Sequence, residues 1–133
     1  MEIWHEYAKK VQSGEIVACR KIKQAVARYF DDLANPAYFF DESAVNKFLA
    51  FSLCPHVKGH LRGQPIELSD WQTFLFANLL GFKRTDTGLR KYRSAYIQVA
   101  RKNAKSTVAA VLANWFLLME AGQQDIYTAA VSR

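Results

Sequence analysis

Helical spacing of apolar residues predicts two helices at the start of the chain. The first ends at Ser13-Gly14, and the second covers residues 16–33 before the break at Asn35-Pro36. Their predicted core positions are Ile3, Tyr7 and Val11 in the first helix and Ile22, Val26, Tyr29, Phe30 and Leu33 in the second. This part of the chain is therefore expected to bury one face of each helix.

A third helix is predicted from Asp41 to the stop at Cys54-Pro55. Its expected core positions are Val45, Phe48, Leu49 and Leu53. The preceding run, Tyr38 to Glu42, imitates an acidic metal-binding strand of nucleotide hydrolases, but such a strand follows the phosphate loop in the chain, whereas this one precedes the basic loop described below. Asp41 is accordingly interpreted as a helix cap, and the aromatic residues as packing.

The sequence pattern of the second half of the chain predicts alternating strands and helices. Ser69 caps a helix that runs to about Leu80 and stops at Gly81. Residues 92–99 alternate like a strand, residues 105–121 form a long apolar helix closed by Gly122, and residues 126–131 are β-rich. The order strand, loop, helix, strand is half of an α/β nucleotide-binding unit. The predicted fold class is helix-rich α/β, a helical segment followed by an incomplete P-loop NTPase core.

Composition limits the class of protein. The chain has 133 residues, 50% of them hydrophobic, which suits one compact domain. Its two cysteines, Cys19 and Cys54, are too few for a disulfide scaffold, so a reducing cytoplasm is expected. No secretory signal opens the sequence, and no apolar run reaches the roughly 18–20 residues of a membrane span. A soluble protein without a membrane partner is predicted.

Positive charge is concentrated in one window. Residues 82–105 hold eight lysines and arginines against the single acid Asp86, within a chain of net charge +6. Such a concentration attracts polyanions, either nucleotide phosphates or a nucleic-acid backbone. A solvated loop that is charged for solubility is the alternative.

The sequence "VARKNAKST", residues 99–107, lies between the predicted strand and the long helix. A phosphate-binding loop requires a strand, successive backbone N–H groups and a helix N-terminus, with the pattern Gly-x-x-x-x-Gly-Lys-Ser/Thr. Lys105 and Ser106 stand in register, but Val99 and Ala104 replace both glycines. If Ala104 takes a left-handed conformation, its Cβ costs roughly 1–2 kcal/mol. The alternative is a helix N-terminus that happens to carry lysines.

An ordered series of segments resembles the ATPase region of tailed-phage terminase large subunits. The series is "GQPIELSDWQTFLFANLLGF", "RSAYIQVA", the loop, and "VAAVLANWFLLMEAGQQDIYTAAVSR", covering about residues 56–133. That family has a deviant loop of the form Arg-Lys-Asn-Gly-Lys-Ser without the usual first glycine. The resemblance therefore accounts for Val99 and leaves Ala104 as the departure.

The resemblance implies a role for each matching residue. ATP and Mg²⁺ are the implied cofactors. Lys105 matches the lysine of the β- and γ-phosphates, Ser106 the Mg²⁺ ligand, and Arg101 an arginine acting in cis on the γ-phosphate. Gln72 matches the residue that recognises the adenine edge, with Trp71 beside it. The implied nucleotide-binding residues are Trp71, Gln72, Arg101, Lys102, Asn103, Ala104, Lys105, Ser106 and Thr107.

Several of these residues also have alternative interpretations that involve no nucleotide. Ser69 to Gln72 is also a capping box, in which the Gln72 side chain bonds back to the Ser69 backbone. Arg101 and Lys102 can equally be solvated or contact DNA. Cys54, His56 and His60 are three possible zinc ligands without a fourth at motif spacing, so no metal site is predicted there.

The predicted scope is the opening part of a packaging motor. The sequence divides into a helical leader, residues 1–68, and a partial ATPase core, residues 69–133. No later acidic strand and no nuclease domain follow Arg133, so hydrolysis by the chain alone is not expected. The resemblance implies double-stranded DNA, a terminase small subunit and a portal as partners, in the bacterial cytoplasm, with a phage or prophage origin. Exposed strand edges predict self-association. A non-enzymatic helical DNA-binding or interaction module is the alternative function.

Overall fold

The fold is described from a computed structural model covering residues 2–56, 59–102 and 104–119. The described residues form five helices and one two-stranded sheet. They divide into two compact units, residues 1–96 and the part from Ile97 onward. Helix-rich content with a small sheet is consistent with the predicted α/β class.

Two amphipathic helices open the first unit. Helix α1 covers Ile3–Ser13 and ends at Gly14, whose left-handed backbone (φ 84°) lets its N–H donate to the Val11 carbonyl. Helix α2 covers Arg20–Ala34, so it starts later than the predicted residue 16. The start is delayed because the Ile16 N–H donates to the carbonyl of Lys10, which ties this connection to the end of α1.

Three predicted core positions are wrong. Ile3 is 52% exposed, Leu33 is 41% exposed and Leu53 is 59% exposed, although all three continue the apolar spacing of their helices. Each lies at one end of its helix, where periodicity does not reveal whether a neighbour covers the terminal turn. Burial at the end of α2 instead falls on the acid Asp32, which is 6% exposed. The other predicted positions of α2 and α3 are buried or packed against the core, namely Ile22, Val26, Tyr29, Phe30, Val45, Phe48 and Leu49.

The aromatic run before α3 forms a short strand. Strand β1, Tyr38–Phe40, pairs antiparallel with β2, Phe82–Arg84, in a register that places Phe39 opposite Lys83. Asp41 then accepts a hydrogen bond from the Ala44 N–H at 3.0 Å and starts α3, Glu42–Ser52. The interpretation of Asp41 as a helix cap is thus confirmed.

Helix α4, Asp70–Gly81, packs against α1 and α3. Gly81 is its last residue, but not through the left-handed conformation that a glycine stop predicts, because the next residue, Phe82, continues directly into β2 with an extended backbone. A Cβ at position 81 would overlap the ring of Phe40. Glycine is therefore required here by the close approach of an aromatic ring to the helix.

Aromatic side chains dominate the core of the first unit. Tyr29, at 2% exposure, contacts the rings of Phe40, Phe74 and Phe82 at centroid distances of 6.2, 5.5 and 5.8 Å. Edge-to-face contacts of this kind add about 0.5–1.5 kcal/mol per pair to the burial of apolar area. The leader helices, the small sheet and α4 are joined through this cluster.

The second unit contains helix α5, Lys105–Leu118, as predicted from about residue 105. The predicted strand over residues 92–99 is wrong, since residues 93–100 have no regular secondary structure and form no ladder with another described segment. A strand exists only when a neighbour shares its backbone hydrogen bonds, and alternation alone does not supply one. The expectations for Gly122 and for a strand at 126–131 lie outside the described residues.

No helix within the described ranges is long and apolar enough to cross a membrane. The predicted domain boundary at residue 68/69 stays a prediction about where the family's ATPase core begins. In the structure, α4 packs with the leader helices α1 and α3.

Candidate phosphate-binding loop

The loop before α5 has an unusual backbone. Ala104 has φ 56° and ψ 25°, which is the left-handed region, and Lys102 has φ 65°. Side chains with a Cβ adopt this region at a cost of roughly 1–2 kcal/mol per residue, so other contacts must stabilise it. The position that the phosphate-loop pattern reserves for glycine therefore has the conformation that glycine favours.

Lys105 closes this loop. Its Nζ donates a hydrogen bond to the Val99 carbonyl oxygen at 3.1 Å, so the first and seventh positions of the motif meet. A charged donor on a carbonyl contributes about 1.5–3 kcal/mol when it is sheltered, and less at an exposed position such as this one. The bond is therefore of the same order as the strain of one left-handed residue.

Helix α5 begins at the loop. Its first backbone bond runs from the Val108 N–H to the Ala104 carbonyl at 2.9 Å. The first turn of an α-helix leaves N–H groups without an intrahelical partner, and these carry the positive end of the helix dipole. Lys105 and Ser106 are exposed in this turn, and Thr107 is half-buried. The arrangement suits an anion that a cation and a hydroxyl also contact.

The other predicted loop residues lie on either side of the strained positions. Arg101 and Lys102 are exposed, and Lys102 itself has the positive φ. Asn103 lies outside the described residues. The second unit thus brings together Arg101, Lys102, Ala104, Lys105, Ser106 and Thr107 within one short loop and helix start.

Trp71 and Gln72 belong to the first unit. Gln72 is 7% exposed, and its Oε1 accepts a hydrogen bond from the Ser69 N–H at 2.9 Å, which is the capping-box contact. Trp71 is half-buried against the aromatic core. Gln72 therefore acts as part of the capping box of α4. Its recognition of the adenine base stays a prediction.

Ion pairs account for several cations of the basic window. Lys83 pairs with the Asp41 carboxylate, and Arg84 donates two hydrogen bonds to Asp86 at 3.1 and 2.9 Å. The hydrogen bond from Lys83 lowers the pKa of Asp41, and that from Arg84 lowers the pKa of Asp86. Residues 82–91 form a hairpin, in which the Lys91 N–H donates to the Phe82 carbonyl. Within it, Lys83 joins β2 to the start of α3 and Arg84 pairs inside the turn, so these two cations are not simply an open attraction for polyanions.

Asp32 is the centre of a charge cluster that sequence reasoning missed. Its Oδ2 accepts a hydrogen bond from the Tyr92 hydroxyl at 2.7 Å and forms an ion pair with Lys91. The Lys91 Nζ also lies 4.3 Å from the ring centroid of Tyr38. Burial is the largest single influence on the pKa of Lys91 and lowers it, but the hydrogen bonds and charges of Asp32 and Tyr92 together outweigh burial, so the pKa of Lys91 is raised. The only sequence signal was an acid within an apolar stripe.

Metal ligands do not cluster in the described ranges. No group of three or more His, Cys, Asp or Glu side chains among those residues is arranged to hold a metal ion. Cys54 is one of the three possible zinc ligands considered from the sequence. Its thiol instead donates a hydrogen bond to the Phe51 carbonyl.

Residues 70–133 match the family described as the terminase large subunit, ATPase domain. The match covers slightly less than half of the chain and confirms, for these residues, the resemblance to terminase large subunits. It begins at the first residue of α4 and includes the loop and α5. No curated protein and no solved structure matches the chain.

Proposed function

We propose that residues 99–107 bind the phosphates of ATP together with Mg²⁺, as part of the motor of a terminase large subunit that packages DNA. The observation that carries this proposal is the left-handed Ala104 directly before α5. A lysine-bearing helix start that merely faces solvent does not need a strained residue there. The family match over residues 70–133 supports the same assignment.

Each side chain of the loop has a distinct role in this proposal. Lys105 neutralises the β- and γ-phosphates, and the exposed Ser106 hydroxyl is a ligand for Mg²⁺. Arg101 stabilises charge on the γ-phosphate, as arginine fingers do. Lys102, Asn103, Ala104 and Thr107 contribute backbone groups around the phosphate chain.

The base is assigned to Trp71 and Gln72. The Oε1 of Gln72 accepts the Ser69 N–H, and its Nε2 amide is the group that donates a hydrogen bond to a purine ring nitrogen in this proposal. A carbonyl oxygen has two lone pairs, so Oε1 can still accept from an exocyclic amino group. The capping contact and base recognition are therefore compatible, and the cap fixes the amide orientation.

The partners of the proposed motor follow from its class. They are double-stranded DNA, a terminase small subunit and a portal, and self-association of the chain is expected as well. Arg93 and Lys102 are exposed cations outside the described ion pairs with acids and are available for a polyanion. DNA contact through such residues weakens steeply with added salt.

Calorimetric titration with a non-hydrolysable ATP analogue and Mg²⁺ tests the proposal. We expect wild type to bind and Lys105→Ala to lose at least about tenfold in affinity, since a lost charge-assisted bond costs about 1.5–3 kcal/mol. Lys23→Ala is the matched control, because Lys23 is an exposed lysine in α2 of the first unit.

Equal binding by wild type and Lys105→Ala would contradict the proposed site. If neither protein binds the analogue while salt-sensitive binding to double-stranded DNA persists, the chain is instead a helical DNA-binding module. Gel filtration with light scattering examines the expected self-association, and a single monodisperse monomer would contradict it.

A further inference from the structure

Helix α2 carries a row of cations on its exposed side. Arg20, Gln24 and Arg28 recur every four residues and share one face of the helix, and all three are exposed. Lys21 is exposed beside them. In the part of the chain that the structure describes, none of these three cations forms an ion pair with an acid. The opposite side of α2 is packed into the aromatic core through Tyr29, which is 2% exposed, so a well-packed helix presents the cations.

The cations at the start of α2 oppose the helix dipole. The first turn of a helix is the positive end of that dipole, where an acid stabilises the helix and a cation destabilises it by about 0.3–1 kcal/mol. An acid occupies this turn in α1, α3 and α4, namely Glu6, Glu42 and Asp70. Helix α2 has none and begins with Arg20 and Lys21. Charge that weakens its own helix is expected where an external anion neutralises it.

The row of cations on α2 leads to the basic window of the sequence. The Arg28 guanidinium lies 5.7 Å from the ring centroid of Tyr92, and the residue after Tyr92 is the exposed Arg93. The neighbouring buried carboxylate of Asp32 is paired with Lys91 and leaves Arg28 unneutralised. Positive charge from two distant segments of the chain is thus brought close together.

We propose that Arg20, Lys21, Arg28 and Arg93 form a surface, the α2 cation surface, that contacts the phosphate backbone of double-stranded DNA. With Asp31, the acid three residues beyond Arg28, they sum to a net charge of +3. From Arg20 to Arg28 the helix rises about 12 Å, which corresponds to roughly three phosphate steps along one DNA strand. The charge indicates a polyanion, and the choice of DNA rests on the proposed packaging function.

Fluorescence anisotropy with a labelled DNA duplex, measured across salt concentrations, tests the α2 cation surface. Each phosphate contact contributes about 0.9 to the slope of log affinity against log salt concentration. We expect Arg20→Gln/Lys21→Gln to bind at least about tenfold more weakly at about 100 mM salt and to lose about 2 from the magnitude of the slope. Thermal unfolding should show no loss of stability, because glutamine has a similar helix propensity and the dipole no longer opposes two cations.

Lys23→Gln/Lys47→Gln is the matched control, with the same change in net charge. Lys23 is exposed in the same turn of α2, but it borders a cleft beside Gln12 and Ser13 at the end of α1. Lys47 is exposed in α3. We expect this control to keep most of the wild-type affinity and slope. Equal losses in the two double variants would show that only net charge matters and would overturn the inference.

Lysine acetylation of wild type, followed by mass spectrometry, gives a readout that depends on no substitution. We expect saturating duplex DNA to slow the acetylation of Lys21 several-fold and to leave that of Lys47 unchanged. Acetylation of Lys21 at the rate of the free protein would overturn the inference. Protection of Lys21 by poly-glutamate but not by DNA would assign the surface to an acidic protein and would overturn it as well.

Titration of wild type with an ATP analogue and Mg²⁺ separates this inference from the proposed phosphate site. Protection of Lys21 by DNA in a protein that binds no analogue would support the α2 cation surface and contradict the phosphate site. Binding of the analogue without any binding of duplex DNA would overturn the α2 cation surface and leave the phosphate site in place.

Discussion

The two compact units of the chain use charge and backbone strain in opposite ways. In the first unit, cations such as Lys83 and Lys91 pair with Asp41 and Asp32 beside an aromatic core. In the second unit, the loop before α5 combines exposed lysines with two non-glycine residues of positive φ. The paired charge in the first unit stabilises the fold, whereas strain in the second unit is typical of a binding loop.

This difference changes the meaning of the basic window at residues 82–105. From sequence alone, its cations form one positive region. In the structure, the hairpin cations Lys83, Arg84 and Lys91 have acidic partners, and Lys105 lies on a backbone carbonyl. A carbonyl is a weaker acceptor than a phosphate, so Lys105 is the cation best prepared to exchange partners.

The largest expected effect comes from the aromatic core of the first unit. Phe82 has no exposed surface and contacts the ring of Phe40 at a centroid distance of 5.0 Å. We expect Phe82→Ala to lower the free energy of unfolding by about 3–5 kcal/mol, because a buried ring leaves a cavity. Denaturant unfolding measures this loss. Phe39→Ala is the control, since Phe39 is 44% exposed on the paired strand, and an equal loss in both variants would contradict the described core.

The approach of Phe40 to Gly81 gives the next effect. We expect Gly81→Ala to destabilise the protein by about 1–3 kcal/mol, because the new Cβ meets a ring that is itself packed against other rings. Thermal unfolding provides the measurement. Gly81→Ala together with Phe40→Leu removes the clash, so the glycine substitution should cost less in that background. An unchanged cost would show that the contact with Phe40 is not the cause.

Asp41 offers a smaller effect with a pH signature. Asp41→Ala removes the cap of α3 and the partner of Lys83, and we expect a loss of about 1 kcal/mol. Asp41→Asn keeps a capping oxygen and loses the charge. Because the folded pKa of Asp41 is lowered, its charge stabilises the fold above the ordinary value of 3.8, and this contribution disappears as pH falls through the lower folded pKa.

Unfolding of wild type and Asp41→Asn across pH 2–7 measures this contribution. The two proteins should differ at pH 7 and converge in acid. A difference that stays constant with pH would show that the Asp41 charge is not involved.

The smallest effect concerns the strained residue of the second unit. Ala104→Gly relieves the left-handed strain, roughly 1–2 kcal/mol, and costs about 0.5–1 kcal/mol in glycine entropy. We expect a net gain of about 0.5–1 kcal/mol, seen as hydrogen exchange about two- to fivefold slower at the Val108 amide, the first hydrogen-bonded amide of α5. Ala110→Gly, an exposed position within the same helix, should have the opposite sign. The same sign in both variants would contradict the left-handed assignment.

Sequence patterns predicted the local features well where one residue determines the geometry. Asp41 and Ser69 at helix starts, and Gly14 at a helix end, act through their own side chain or backbone, so their neighbours along the chain suffice. The predicted strand at 92–99 failed because pairing depends on a partner elsewhere in the chain. The Asp32 cluster was missed for the same reason, since its donors lie about 60 residues away.

In the candidate site, too, features that are fixed by neighbouring residues were predictable and longer-range contacts were not. The register of Lys105 and Ser106 and the left-handed position at Ala104 were predictable, because the motif fixes both within one loop. The bond between Lys105 and Val99 was not, because it depends on how the loop curls. Roles for Trp71 and Gln72 toward a base stay predictions.

Amide NMR of the chain with Mg²⁺ and a non-hydrolysable ATP analogue distinguishes a loop before α5 that receives the phosphates from hairpin cations that do so. We predict that the largest shifts fall on the amides of residues 101–108. Shifts concentrated on residues 83–91, with the loop unchanged, would show that the phosphates bind at the hairpin instead.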